Sequence, residues 1–141
     1  MNINTDKVNE IIYRFQTQRG QNVQTLMNDS SVLAAQLYWF ADACGEMGKK
    51  HAGLYVDRKS EFARLKQHYI ESDQLSAAAA ETKAGNNENY KELYKLEKIT
   101  SARHDKAKLM FKAIQEVLGR MNQQIADLRK ERDYQRHLER A

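Results

Sequence analysis

The 141-residue sequence contains no proline, where average usage of about 5% would supply roughly seven. Proline marks turns, first helical turns and edge strands, so its absence argues against a turn-rich all-β fold and for long helices. Cysteine occurs once, as Cys44, which excludes an intramolecular disulfide and suits a reducing compartment such as the cytoplasm. Its two readings are a small buried hydrophobe in phase with Phe40 and Met47, or a reactive thiol near Lys49 and Lys50. No run approaches the roughly 18 apolar residues of a membrane span, and Met1 to Lys7 lacks a signal-peptide core, so a soluble chain with no membrane partner is expected. Six glycines are scattered, with no phosphate-cradling loop; Gly45-Glu46-Met47-Gly48-Lys49-Lys50 lacks both the spacing and a preceding strand.

Catalytic signatures are also missing. His51, His68, His104 and His137 lie far apart, and none forms a Glu-x-x-His or His-x3-His pair of the kind a di-metal bundle needs. No nucleophile elbow or kinase motif occurs. The expectation is a non-enzymatic protein with no catalytic residues, metal or cofactor.

What is present is helical periodicity. Val8, Ile11, Ile12 and Phe15 follow the amphipathic template, with Thr5 as a candidate N-cap and Gly20 as a stop, which predicts a short helix over about 5–19. The cluster Asn28-Asp29-Ser30-Ser31 reads as a second N-cap. From it Leu33, Leu37, Phe40, Cys44 and Met47 recur at spacings of 4, 3, 4 and 3, and Leu54, Phe62, Leu65 and Tyr69 continue with one slip in phase. Gly45, Gly48 and Gly53 leave two readings, a continuous helix over about 31–72 or two helices meeting there. The absence of any turn dipeptide favours the first. Gly85-Asn86-Asn87 reads as a reversal and fresh N-cap at about 84–88.

Beyond it, steps of 3 and 4 from Leu93 through Leu96, Thr100, Arg103, Ala107, Met110, Ile114, Val117, Met121, Gln124 and Leu128 trace a coiled-coil seam. A helix over about 88–136 would be roughly 70 Å long at 1.5 Å per residue. Only the 31–72 segment is long enough to cover it. The predicted fold is therefore all-α: one helical domain over 1–141, an antiparallel hairpin of two long helices with a short N-terminal helix. The polar seam residues Thr100, Arg103 and Gln124 either fix register or lie outside the packed interface. A thin hairpin leaves apolar surface over, so a homo-oligomer is expected, with interface candidates Tyr38, Trp39, Met110, Ile114, Val117, Met121 and Leu128. Tyr38-Trp39-Phe40 spans about 200° of helix circumference; at least one ring faces a subunit, the surface or a stacked base.

The net charge of +4 is distributed unevenly. Lys49 to Lys66 holds six bases against two acids, and Lys91 to Lys112 seven against three. Tyr55, Tyr69, Tyr90 and Tyr94 lie in or beside these segments. Charge for phosphates with rings for bases is the requirement for sequence-independent single-strand binding. This makes Lys49, Lys50, Arg58, Lys59, Arg64, Lys66, Lys91, Lys95 and Lys98 candidate nucleic-acid contacts. The alternative is a solvated face in which lysines pair with Glu92 and Glu97. The charged end, Arg129 to Arg140, complements the negative pole of its helix or meets phosphates.

The order of these features resembles the UvsY-type recombination mediators of bacteriophages, over roughly residues 26 to 130. The resemblance is carried by Leu37-Tyr38-Trp39-Phe40, Lys59 to Tyr69 and Lys108 to Leu128. The glycine cluster and the longer charged C-terminus depart from it. It implies an oligomer that binds single-stranded DNA and helps a recombinase displace single-strand-binding protein. It would put DNA on Lys49, Lys50, Arg58, Lys59, Arg64 and Lys66. The competing function is a helical adaptor, scaffold or inhibitor that holds another protein on its amphipathic seam.

Overall fold

The computed structural model describes residues 3–18 and 20–141. It contains four helices: α1 (Thr5–Thr17), α2 (Val23–Glu71), α3 (Ala77–Gly85) and α4 (Glu88–Arg140). Arg19, at the predicted end of the first helix, lies outside the described residues. The chain divides into two compact units, Met1–Ala43 with Lys108–Ala141 and Cys44–Ala107. The long helices α2 and α4 contribute to both. Among the described residues no helix is long and apolar enough to cross a membrane.

Each helix start is set by a side chain satisfying an orphan backbone N–H. Asn4, one residue before the expected Thr5, accepts from the Lys7 N–H at 3.0 Å. Asn22 accepts from the Thr25 N–H at 2.8 Å, so α2 begins eight residues before the predicted Ser31 start. The Asn28 to Ser31 cluster is helical instead, because Asp29 has another task. Its carboxylate is buried and accepts from Arg14 of α1 at 2.7 and 3.0 Å. This bidentate pair raises the Arg14 pKa, the hydrogen bond to Asp29 outweighing the cost of burial. Asn4 also donates its N–H to Gln36 of α2 at 2.8 Å. The contacts 4 to 36 and 14 to 29 make α1 antiparallel to α2. Between them Gly20 takes φ +77°, a left-handed conformation that suits glycine.

The first unit closes on an aliphatic core. Val8 and Ile11 of α1, Leu26, Leu33 and Phe40 of α2, and Ile114, Val117, Met121 and Ile125 of α4 are buried together. Met110, Phe111, Leu118 and Leu128 pack against them. Met110, Ile114, Val117, Met121 and Leu128 were expected at a subunit interface. They are spent on this intrachain core, because α1 and α2 together cover the seam.

The second unit is a hairpin closed by a short helix, α3, where Ala77 to Ala80 read in the sequence only as a stretch that could extend a helix. Glycine-free backbone turns after α2 through Gln74 at φ 53°, and Ser76 caps α3 by accepting from the Ala79 N–H at 3.3 Å. Ala80 and Ala84 of α3 are fully buried. The predicted reversal at Gly85-Asn86-Asn87 stands: Asn87 accepts from the Tyr90 N–H at 3.2 Å and starts α4. Helix α2 runs unbroken past Gly45, Gly48 and Gly53. Gly48 has a packing reason, since a Cβ there would lie 3.3 Å from the imidazole of His104. Tyr69 meets Asn87 and Arg58 meets Glu97, so within this unit α2 and α4 are antiparallel.

Candidate nucleic-acid interface

The two basic segments converge in the second unit around one arginine. Arg58 of α2 donates through Nε to Oε2 of Glu97 on α4 and through Nη1 to the Tyr90 hydroxyl at 3.4 Å. Glu97 is only 3% exposed, and its second oxygen faces His51 Nε2 at 3.7 Å. Burial works against the charge on Arg58, but the hydrogen bonds to Glu97 and Tyr90 prevail and its pKa lies above the ordinary value.

Aromatic rings flank the guanidinium. Its carbon lies 5.4 Å from the centroid of Tyr55 and 5.2 Å from that of Tyr94. Lysines extend the arrangement outward: Lys59 Nζ is 5.3 Å from the Tyr55 ring and Lys98 Nζ 5.2 Å from the Tyr94 ring. These pairs follow from helical spacing. Tyr55 precedes Arg58 and Lys59 by three and four residues, and Tyr94 precedes Lys98 by four, so each ring lies beside its cations. Tyr90 stacks at a tilt on Phe62 at 5.3 Å and on Tyr94 at 6.2 Å. Tyr55 and Tyr94 each remain 43% exposed. An open pocket of about 260 Å³ lies beside Tyr94, lined by Gly85, Tyr90, Lys91 and Tyr94.

The nine candidate basic residues therefore divide. Arg58 is structural, its charge cancelled by Glu97. Lys49 pairs with Glu46 at 3.2 Å, Arg64 with Glu61 at 2.6 Å, and Lys66 with Glu81 of α3 at 2.7 Å. The hydrogen bond from Arg64 lowers the Glu61 pKa. Lys50, Lys59, Lys91, Lys95 and Lys98 are exposed, and none of these five enters an ion pair among the described residues. Lys59, Lys91 and Lys98 border the tyrosines. The expected lysine pairing with Glu97 is replaced by Arg58, and Tyr55, one of the four rings beside the basic segments, is the one that meets both Arg58 and Lys59.

The other candidates lie elsewhere. Tyr38 and Trp39 belong to the first unit, edge to face at 5.2 Å, with Tyr38 69% and Trp39 37% exposed. Cys44 is half-buried. Among the described residues no group of three or more His, Cys, Asp or Glu side chains is placed to hold a metal ion.

Comparison with family models, with curated proteins and with solved structures gives no match in any of the three. The case for a function rests on the side chains themselves.

Proposed function

We propose that this chain is a non-enzymatic protein that binds single-stranded DNA on the second unit, as an accessory of phage-type recombination or replication. The observation that carries the reading is the pair of half-exposed rings, Tyr55 and Tyr94, each with a lysine over it and both flanking one half-buried arginine. Rings offer a stacking surface to any base, and about 1–3 kcal/mol accompanies each stacked base. Lys59, Lys91 and Lys98 lie where the adjoining phosphates would run, and neutralising them releases counterions. Because Glu97 already balances Arg58, the surface presents lysines to the backbone while the arginine keeps the rings in register.

The reading makes a specific prediction for fluorescence anisotropy with a labelled single-stranded oligonucleotide. Binding falls steeply with added salt, and Tyr55→Ala with Tyr94→Ala weakens it at least tenfold at low salt. Lys59→Gln with Lys98→Gln flattens the log–log salt dependence by about 0.7 per lost phosphate contact. No binding at low salt, or binding unchanged by the tyrosine pair, would overturn it.

A second reading is supported by Tyr38 and Trp39. Two adjoining aromatics exposed on one helix are characteristic of protein interfaces. They favour an adaptor or scaffold that engages a protein such as a recombinase. In that case capture of the partner tolerates salt and is lost in Trp39→Ala, while oligonucleotide binding is absent.

A further inference from the structure

We infer that a second face of α4, separate from the tyrosine patch, is a dimerisation surface for another copy of this chain. The heptad seam of the sequence runs through Leu96 and Arg103, with Arg103 either fixing register or lying outside the packed interface. In the structure Leu96 is 44% exposed and Arg103 is exposed, while Glu97 and Thr100 are buried and His104 lies against Gly48. The outward residues form a stripe of their own. Glu88, Glu92, Leu96, Ile99, Arg103 and Lys106 follow at spacings of 4, 4, 3, 4 and 3. All six are exposed, with Ile99 at 41%.

Charge along this stripe is ordered: acids at its start, two aliphatic residues in the middle, bases at its end. None of the four charged residues enters an ion pair among the described residues. The order is self-complementary for an antiparallel partner. Leu96 and Ile99 are equidistant from the midpoint between Glu97 and Lys98, and so are Glu92 and Arg103. A two-fold axis through that midpoint sets Leu96 against Ile99 of the second copy and Glu92 against Arg103 of the second copy, twice each. Glu88 and Lys106 meet to within one residue. A closed two-fold contact needs this self-complementarity, and acid-against-base pairing at both ends selects the antiparallel register. A parallel copy would place like charges together. Tyr94 and Lys98 project from a different side of α4, since adjacent helical residues are about 100° apart. The dimer therefore leaves the tyrosine patch uncovered.

Sedimentation or light scattering on the full chain tests this without reference to nucleic acid. Wild type is expected at twice 16.4 kDa at high concentration, and Leu96→Asp at the monomer mass. Glu92→Arg and Arg103→Glu are each expected to raise the dimer dissociation constant about tenfold, because each removes two symmetric pairs and creates repulsion. The combined Glu92→Arg and Arg103→Glu variant restores the dimer. All three positions are exposed, and circular dichroism checks that the helices persist. A monomeric wild type overturns the inference, as does a charge-reversed pair no better than either single change. If Leu96→Asp leaves the mass unchanged but abolishes oligonucleotide binding, the face belongs to nucleic acid and the dimer is wrong. The Tyr55→Ala and Tyr94→Ala variants keep the dimer, so failure of the binding reading and failure of the dimer are separate results.

Discussion

Where α4 passes through the first unit, its buried residues are Ile114, Val117, Met121 and Ile125; in the second they are Glu97, Thr100 and Ala107. One continuous helix thus meets an aliphatic core along one stretch and a polar, small-residue interior along the other. The first unit draws most of its cohesion from non-directional burial, about 1.5–3 kcal/mol for each large aliphatic side chain, with the Arg14–Asp29 pair as its directional contact. The second depends on geometry: a shared carboxylate, a guanidinium between rings, and close approach at Gly48 and at the alanines of α3. An aliphatic core tolerates reshaping, whereas a buried ion pair is unforgiving when one member is removed.

The largest expected effect probes the aliphatic unit. Met121 is fully buried, and Met121→Ala should cost about 3 kcal/mol in urea unfolding through lost burial and an unfilled cavity. Protection of amide protons should fall in α1 with it, since Val8 and Ile11 share that core. If only the second unit loosens, the division of cohesion described above is wrong.

Nearly as large, and more diagnostic, is the ion pair. Glu97→Leu strands the Arg58 guanidinium, and Arg58→Met strands a carboxylate that is 4% exposed; each should cost about 3 kcal/mol. The combined variant should recover most of that loss, because two apolar side chains of similar volume need no partner. It should also leave Tyr55 and Tyr94 without the cation that aligns them, so oligonucleotide affinity should not recover. Recovery of stability and affinity together would separate Arg58 from the proposed surface.

The smallest effect contrasts two glycines of α2. Gly53 has open space around its Cβ position, and Gly53→Ala should stabilise by about 1 kcal/mol, the propensity difference in a helix interior. Gly48→Ala must push the His104 ring aside and should gain far less or lose stability, as thermal unfolding of the pair would show. Equal gains would mean that the helices of the second unit do not rely on close approach there.

How much of this could be read from the residues depends on which forces set each feature. The long helices, the continuity of α2 and the cap at Asn87 all follow from periodicity and local hydrogen bonding. The start of α2 does not, because Asp29 reads locally as a cap and only the distant Arg14 makes it a helical residue. The inward face of α4 slipped in phase between Leu93 and Ala107 for a similar reason. Steps of 3 and 4 between the apolar residues run through Leu96 and the polar Arg103, yet the buried position is Glu97, whose partner lies 39 residues away. Helix α3 is half legible: Ala77 to Ala80 has helical propensity but no contrast between faces, so its separate start at Ser76 is not marked. The tyrosine–lysine patch was half visible: the i, i+4 pairs are local, while their convergence on Arg58 requires the fold.

The single tryptophan, Trp39, belongs to the first unit, whereas the second carries Tyr55, Tyr69, Tyr90 and Tyr94 and no indole. The molecule therefore has a natural optical partition. Indole emission reports on the aliphatic unit alone, while the phenols are shared, four in the polar unit and Tyr13, Tyr38 and Tyr134 in the aliphatic one. A titration that alters phenol absorbance, leaves the indole silent and loses its signal when Tyr55 and Tyr94 are replaced by Phe would locate its ligand on the polar unit without a label being attached.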